Sequence, residues 1–384
     1  MYSGNTPSRL NKEHFNGAIN WISSGELKEH YIADTKEKIS DEAAKTLKML
    51  PIGTFVIAIY GLEADGVRGT GSITKTEATI SQACMAFISK GKVQNEFLYS
   101  WYKKHGNVIG IRYAQGTKQQ NLSYDIIEKF KIAYPTFQEQ EKLNKFIALL
   151  DERIATQNKI IEDLKKLKSA IIEKVFCSPN QEHPMCRIAG FEQALSTYKM
   201  SDFSSRIATK NKDSKCSLVL TIAAQYGLVN QESFFNKSVA SENLSGYYLL
   251  HKGEFAYNRS YSAGYDWGAV KRLDNYEEGV LSTLYICFKI NETIVDSDYL
   301  AYYFESTKWH RGLSDIAGEG ARNHGLLNVS ITDYFNTKHR FPVIEEQKAI
   351  AKMLNTITEK ERKATLLEEC YQKQKQYLLR QMFI

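Results

Sequence analysis

Two stretches of this chain repeat one pattern of apolar and polar positions. "PTFQEQEKLNKFIALLDERIATQNKIIEDLKKLKSAIIEKVF" (residues 135–176) aligns without a gap on "PVIEEQKAIAKMLNTITEKERKATLLEECYQKQKQYLLRQMF" (residues 342–383) at an offset of 207, with 9 of 42 positions identical. Apart from its opening Pro135, the first stretch contains neither Gly nor Pro. Its start is acidic and its end is rich in Lys, which suits the two ends of a helix. Leu143, Leu150, Gln157, Leu164 and Ile171 form one seven-residue series, and Ile147, Ile154, Ile161, Lys168 and Val175 form another. Two such series make a coiled-coil seam with polar breaks at Gln157 and Lys168. The second stretch keeps one series, Ile350, Ile357, Ala364, Tyr371 and Leu378; the other drifts through Leu354, Leu367 and Met382 and admits Glu361 and Glu368. Each is expected to be a helix of about 58 Å at about 1.5 Å per residue. The expected partner of each is the other, antiparallel, as a duplicated chain favours.

The segments before the helices are also related. "LPIGTF" (residues 50–55) matches "LHKGEF" (residues 250–255) at an offset of 200. On that offset residues 191–200 have no counterpart in the first half, as though its opening strand were missing or supplied from elsewhere. "TFVIAIYG", "QACMAFI", "SLVLTIAAQYGLV" and "TLYICFKI" read as buried strands. "NEFLYSWYKKHG" and "DSDYLAYYFESTKW" read as short amphipathic helices whose aromatic faces belong to cores. The expected fold is α+β: two similar mixed α/β domains separated by two long antiparallel coiled-coil helices, with a pseudo-two-fold internal repeat. The expected boundaries are 1–134, 135–177, 178–341 and 342–384.

At 384 residues the chain has room for two such domains. A net charge of +6 permits a nucleic-acid partner without demanding one. Six scattered cysteines form no CxxC pair, which points to free thiols in a reducing, cytoplasmic setting. The start lacks the apolar core of a signal peptide, and no run approaches 18 apolar residues, so no membrane is expected.

No catalytic constellation stands out. The phosphate loop GxxxxGK[ST], HExxH and the Gly-x-Ser-x-Gly elbow are absent. There is no Pro–Pro dipeptide, so the Asn/Asp-Pro-Pro-aromatic active-site signature of adenine methyltransferases is missing too. No catalytic residue, metal or cofactor is expected. What remains is polar loops at matching places: "GLEADGVRGTGSITK" (61–75), "IRYAQGTKQQNLS" (111–123), "YNRSYSAGYDWGAVKR" (257–272) and "AGEGARNHGLLN" (317–328). They combine Gly with side chains able to hold phosphates or read base edges. The candidate DNA contacts are Arg68, Lys118, Gln119, Gln120, Arg259, Lys271, Arg272, Arg322, Asn323 and His324. The bland alternative is that these are merely solvated loops.

The chain resembles the specificity subunit of bacterial Type I restriction–modification enzymes. "SGNTPSR" (3–9) with "INWISSGEL" (19–27), and "LVLTIAAQYGLVNQ" (218–231) with "FAYNRS" (255–260), resemble the openings of its two target recognition domains. "AYPTFQEQ" (133–140) and "RFPVIEEQ" (340–347) are the most specific resemblance, a Pro-x-x-x-Glu-Gln entry into each long helix. The resemblance implies a non-catalytic, sequence-specific subunit for host defence and DNA methylation. It implies a bipartite asymmetric target in double-stranded DNA, two methyltransferase subunits and motor-nuclease restriction subunits as partners. The rival reading is a coiled-coil scaffold with protein-binding modules.

Overall fold

In the computed structural model, residues 1–64, 66–236, 243–260, 264–316, 327 and 329–383 are described. The chain divides into two compact units. The first comprises Met1–Asn158 with Leu366–Ile384, and the second Lys159–Thr365. Each long helix therefore contributes one half to each unit.

In the first unit, five strands run in the order Tyr2–Ser3, Cys84–Phe87, Phe55–Ala58, Gly71–Thr74 and Tyr31–Ile32. All neighbours are antiparallel except the last pair. Phe55–Ala58 and Gly71–Thr74 are buried at every position, which explains why the first of them reads as a continuous apolar run rather than an alternating one. Three further strands, Lys38–Ile39, Ile19–Ile22 and Ala78–Ile80, form a second small sheet. The helix Asn95–Tyr113 turns Phe97, Tyr99, Trp101 and Tyr102 into the core. It continues seven residues beyond the segment the sequence suggests. Gly106 and Gly110 lie within it, where the Gly69 backbone packs on the first and the Arg68 side chain on the second.

The second unit has an antiparallel sheet in the order Ser204–Arg206, Ile286–Ile290, Phe255–Asn258 and Ala269–Arg272. The segment read as one strand from residue 217 to 229 is instead a hairpin of Leu220–Ala223 and Gly227–Asn230. Gly227 sits at φ +85°, where a side chain would be strained, and this lets the chain turn back. Tyr299, Tyr302 and Tyr303 of the helix Ser297–Tyr303 are buried, as core rather than ligand platform.

The long helices span Phe137–Val175 and Ile344–Met382. In the first unit Arg153 Nε donates to Tyr371 Oη at 2.9 Å, and Asp151 pairs with Lys375. In the second, Lys168 pairs with Glu361 at 3.0 Å, while Ile172 and Val175 share a core with Ile350 and Leu354. Rising numbers on one helix meet falling numbers on the other in both units, so the helices are antiparallel. The ten seam positions of the first helix are all buried or half-buried. The polar breaks Lys168 and Glu361 meet each other, which offsets part of the cost of placing either in a seam. Leu367 is exposed, so the drifting series on the second helix is not a continuous stripe.

The Pro-x-x-x-Glu-Gln entries have a structural explanation. Gln140 and Gln347 are 0% and 1% exposed. Gln140 Oε1 accepts from Gln94 N–H at 2.8 Å, and its Nε2 donates to Lys92 O and Pro135 O, both at 3.0 Å. Gln347 repeats this with Asp296 N–H (2.9 Å), Ile294 O (3.1 Å) and Pro342 O (2.9 Å). Each glutamine thus locks its helix to the start of the aromatic helix in the same unit. Opposite each lock sits a ring from the end of a long helix. Phe383 lies 5.1 Å from Phe97 in the first unit, and Phe176 lies 5.0 Å from Tyr299 in the second. These paired locks are the physical content of the internal repeat.

His339 ties the stability of the second unit to pH. It is buried between Tyr303 Oη (3.0 Å from Nδ1) and Thr337 Oγ1 (2.8 Å from Nε2). Thr337 gives its own proton to Tyr334 O at 2.7 Å, so it accepts from Nε2–H, and Nδ1 accepts from Tyr303. Burial pushes the imidazole pKa down from 6.5 to about 3. Between those values the unfolded chain binds the proton and the native unit does not. Stability is therefore complete above the unfolded pKa and is lost as pH falls through this window, at about 1.4 kcal/mol per pH unit. Urea midpoints of the second unit measured from pH 7 to 4 should show this slope, and His339→Asn should flatten it. An unchanged slope in the variant would place the titration elsewhere.

Candidate nucleic-acid interface

The first unit brings two of the sequence-predicted loops together. The loop after Phe55–Ala58 and the turn at residues 115–121 are tied by three bonds. An Arg68 guanidinium N–H donates to Gln120 Oε1 (2.9 Å), Gln120 N–H donates to Glu63 Oε2 (2.8 Å), and Leu62 N–H donates to Gln120 O (3.2 Å). Gln115 and Asn121 exchange backbone bonds of 2.8 and 2.9 Å and close the turn. Gly116, at φ +105°, leaves no room for a side chain beside Gln119 O. The Gln120 amide holds the Glu63 carboxyl below the usual range.

The loop is seated on the helix Asn95–Tyr113 through its two glycines. A Cβ on Gly106 would lie 3.0 Å from Gly69 Cα, and one on Gly110 would lie 2.6 Å from Arg68 Cγ. Arg68 therefore lies flat on the helix with its head on Gln120. Lys118 and Gln119 stand exposed at the tip of the turn, and Arg112 is exposed in the last helical turn leading into it. Sequence reading passed over Arg112, although a basic residue just before a polar turn was the available signal. It also missed that Gly106 and Gly110, four residues apart, admit the Gly69 backbone and the Arg68 side chain.

In the second unit Arg259 serves a similar positioning role. It donates to Val329 O (3.1 Å) and Leu284 O (3.2 Å), and its own carbonyl accepts from Leu327 N–H (2.9 Å). Lys271 and Arg272 are strand residues rather than loop residues. Asn258 pairs with Ala269 and Phe255 with Arg272, so Arg272 stands at the opposite end of the hairpin from Arg259. Arg272 pairs with Asp274 at 2.6 Å and Asp298 at 2.7 Å and donates to Ser297 Oγ at 2.8 Å. Burial alone would lower its pKa, but the two carboxylates outweigh burial and raise it. Lys271 is half-buried, 3.8 Å from Glu305. Arg322, Asn323 and His324 lie outside the described residues. Among the described residues, no cluster of three or more His, Cys, Asp or Glu side chains could hold a metal ion, and no helix is long and apolar enough to cross a membrane.

Residues 2–166 match the family described as the Type I restriction modification DNA specificity domain. The match covers the first module and most of the first long helix, less than half of the chain. A curated relative, the Type I restriction enzyme MjaIX specificity subunit of Methanocaldococcus jannaschii, is 27% identical over 179 residues. That match covers 45% of this chain and 40% of the relative, less than half the length of each. Solved specificity subunits share the fold over far more of the chain. The S subunit of the Type I system from M. genitalium has a TM-score of 0.51 at 15% identity, covering 100% of this chain and 93% of that one. The HsdS subunit from Thermoanaerobacter tengcongensis has a TM-score of 0.51 at 13% identity, covering 95% and 90%. A chain from a structure of Type I complex assembly and conformational transition has a TM-score of 0.56 at 13% identity, covering 94% and 90%. At these identities the likeness shows a shared fold.

Proposed function

We propose that this chain is the non-catalytic, DNA-reading subunit of a Type I restriction–modification complex. It recognises a bipartite, asymmetric double-stranded target, one half-site per module, and recruits two methyltransferase subunits and motor-nuclease subunits. The observation that carries this reading is the paired lock. Two modules are fastened to one helix pair by the same glutamine contacts, with Gln140 in one unit and Gln347 in the other. Two similar supports offer two similar docking surfaces, and two different modules read two different half-sites. The purified chain with labelled S-adenosylmethionine and DNA should transfer no methyl group until the methyltransferase is added, and two copies of that partner should bind at saturation. Transfer by the chain alone, or a complex that saturates at one copy, would overturn the reading.

The exposed tip of the first-unit turn supplies direct contacts. Gln119 carries an amide that can pair with adenine, and Lys118 and Arg112 can hold phosphates. Arg68, Gln120 and Arg259 act by holding the turns in place. In the second module the proposed contacts remain Arg322, Asn323 and His324, while Lys271 and Arg272 are engaged within the protein. Gln119→Ala should cost about 1–3 kcal/mol of binding and relax one base, whereas Lys118→Ala should weaken all sequences alike and flatten the salt slope by about one. Binding titrations at several salt concentrations check both. If neither substitution changes affinity or footprint, the turn is not the reading surface.

A further inference from the structure

The second unit exposes a group of rings that lies outside its cores. Tyr226, at the turn of the hairpin Leu220–Ala223 and Gly227–Asn230, is 69% exposed. Phe234 and Phe235, in the short helix Gln231–Phe235 that follows, are 45% and 46% exposed. The ring centroids of Tyr226 and Phe234 are 6.5 Å apart, and those of Phe234 and Phe235 are 5.0 Å apart. Exposed rings scattered singly are ordinary on a protein surface, but a contiguous group marks a contact surface. Phe234 backs Tyr226, which stands outermost.

The place of this turn in the fold indicates what it meets. Tyr265 Oη donates to Ala224 O at 3.2 Å, which ties the hairpin turn to the loop that carries Arg259 and Tyr265. Arg259 in turn donates to Leu284 O at 3.2 Å, and Leu284 is 59% exposed. Asn258 pairs with Ala269 and Tyr257 with Ile286, so both connections leave the main sheet at the same end. At the offset of 200 the Arg259 loop is the counterpart of the loop after Phe55–Ala58, which in the first unit holds the Gln120 turn through Arg68. The rings therefore lie at the end of the second unit that corresponds to the proposed reading end of the first. The two units diverge at this place. Glu26, the counterpart of Tyr226 at the same offset, accepts from Ser23 N–H (2.9 Å), Ser23 Oγ (2.6 Å) and Lys36 N–H (2.7 Å) and is engaged within the protein.

We propose that Tyr226, backed by Phe234, is a wedge that stacks on a base of the second module's half-site and opens one base step there. This inference rests on the DNA-reading function proposed above. The ring offers a flat face to any base, and Gln225, exposed beside it, offers an amide to a base edge. Neither side chain is charged, so the contact adds affinity without displacing counterions from phosphates. Inserting a ring costs unstacking, and that cost is lowest at flexible pyrimidine–purine steps. The wedge thus gives the second module a preference for a deformable step, at a place where the first module presents the engaged Glu26.

The test enriches duplexes from a random-sequence pool with the full chain and its methyltransferase partner, and the enriched duplex is the probe. Tyr226→Ala should weaken binding about tenfold, within the range of one base–aromatic stack, and leave the salt slope unchanged. Tyr226→Phe should bind as the unaltered chain does. Fluorescent aminopurine placed in turn along both half-sites should brighten at one step of one half-site on binding, and Tyr226→Ala should abolish that signal. Equal affinity and equal brightening in Tyr226→Ala would overturn the wedge, while the enriched sequence would still uphold the reading of DNA. A loss of affinity with a shallower salt slope would mark a phosphate contact and also overturn the wedge. Loss of methyltransferase binding by Tyr226→Ala, with DNA binding retained, would give the rings to a protein instead. Enrichment of no sequence would overturn the DNA reading and the wedge together.

Discussion

Phe176→Ala should destabilise the second unit by about 3–5 kcal/mol, and Phe383→Ala should do the same to the first. Both rings are buried to 1% exposure or less at the ends of the long helices. Phe176 packs edge-on against Tyr299 and Tyr303, with centroids at 5.0 and 5.7 Å, and Phe383 packs against Phe97. Each truncation loses the transfer energy of a phenyl group and leaves a hole that a close-packed core cannot fully close. The pattern of the loss is more telling than its size. Phe176 ends the first helix yet anchors the second unit, and Phe383 ends the second helix yet anchors the first. Unit-resolved hydrogen exchange under urea should therefore show faster opening of Lys159–Thr365 for Phe176→Ala. For Phe383→Ala it should show faster opening of Met1–Asn158. Two units need not unfold together, so a single melting temperature would blur this difference. If both substitutions loosen the same unit, the exchanged anchoring is wrong.

Glu346→Ala should cost about 2–3 kcal/mol, and Glu139→Ala no more than about 0.5 kcal/mol. The two glutamates occupy the same place in the Pro-x-x-x-Glu-Gln entries, one residue before the locking glutamine. Glu346 is held by Arg187 through two parallel bonds, 2.9 Å from Nε and 2.7 Å from a terminal nitrogen. Their side chains are 2% and 18% exposed. Removing the carboxylate leaves a mostly buried guanidinium without its charge partner, and the remaining exposure of Arg187 keeps the loss at the lower end of the range for buried pairs. A pair shielded in this way is screened weakly, so the loss should be similar at 0.1 and 1 M salt. Glu139 is exposed, and its carboxylate exchanges one solvated state for another. Equilibrium unfolding at both salt concentrations checks the pair. Equal costs for the two substitutions would refute the asymmetry.

Much of this molecule is local in origin and could be read directly. Heptad spacing placed both long helices to within two residues of their observed ends, because a 3.5-residue period is a property of neighbours along the chain. The same holds for the apolar runs that became Phe55–Ala58 and Cys84–Phe87. The exposed tip at Lys118 and Gln119 was legible as a polar, glycine-containing turn. The function of Arg68 was not, because its role depends on Gly110 and Gln120, 42 and 52 residues away. Arg272 was grouped with Arg259 by composition, and strand register moved it to the far end of a hairpin among carboxylates. A segment that looked like one strand was two, since Gly227 alone does not announce on which side the chain will turn.

The sequence by itself determined the duplication, the helices, the polar breaks at Lys168 and Glu361, and the Pro-x-x-x-Glu-Gln entries that mark each helix start. Only the tertiary structure decided what those features do. Gln140 and Gln347 became buried locks because the backbone of another element supplied donors and acceptors for both ends of the amide. Glu346 became buried because Arg187 covers it, whereas Glu139 is exposed. Residues 131–134 and 338–341 occupy matching places in the repeat, but only the second run is paired in a sheet. Periodicity depends on residues a few positions apart. Burial of a polar group and closure of a sheet edge depend on which distant segment arrives to cover them, and spacing along the chain carries no record of that arrival.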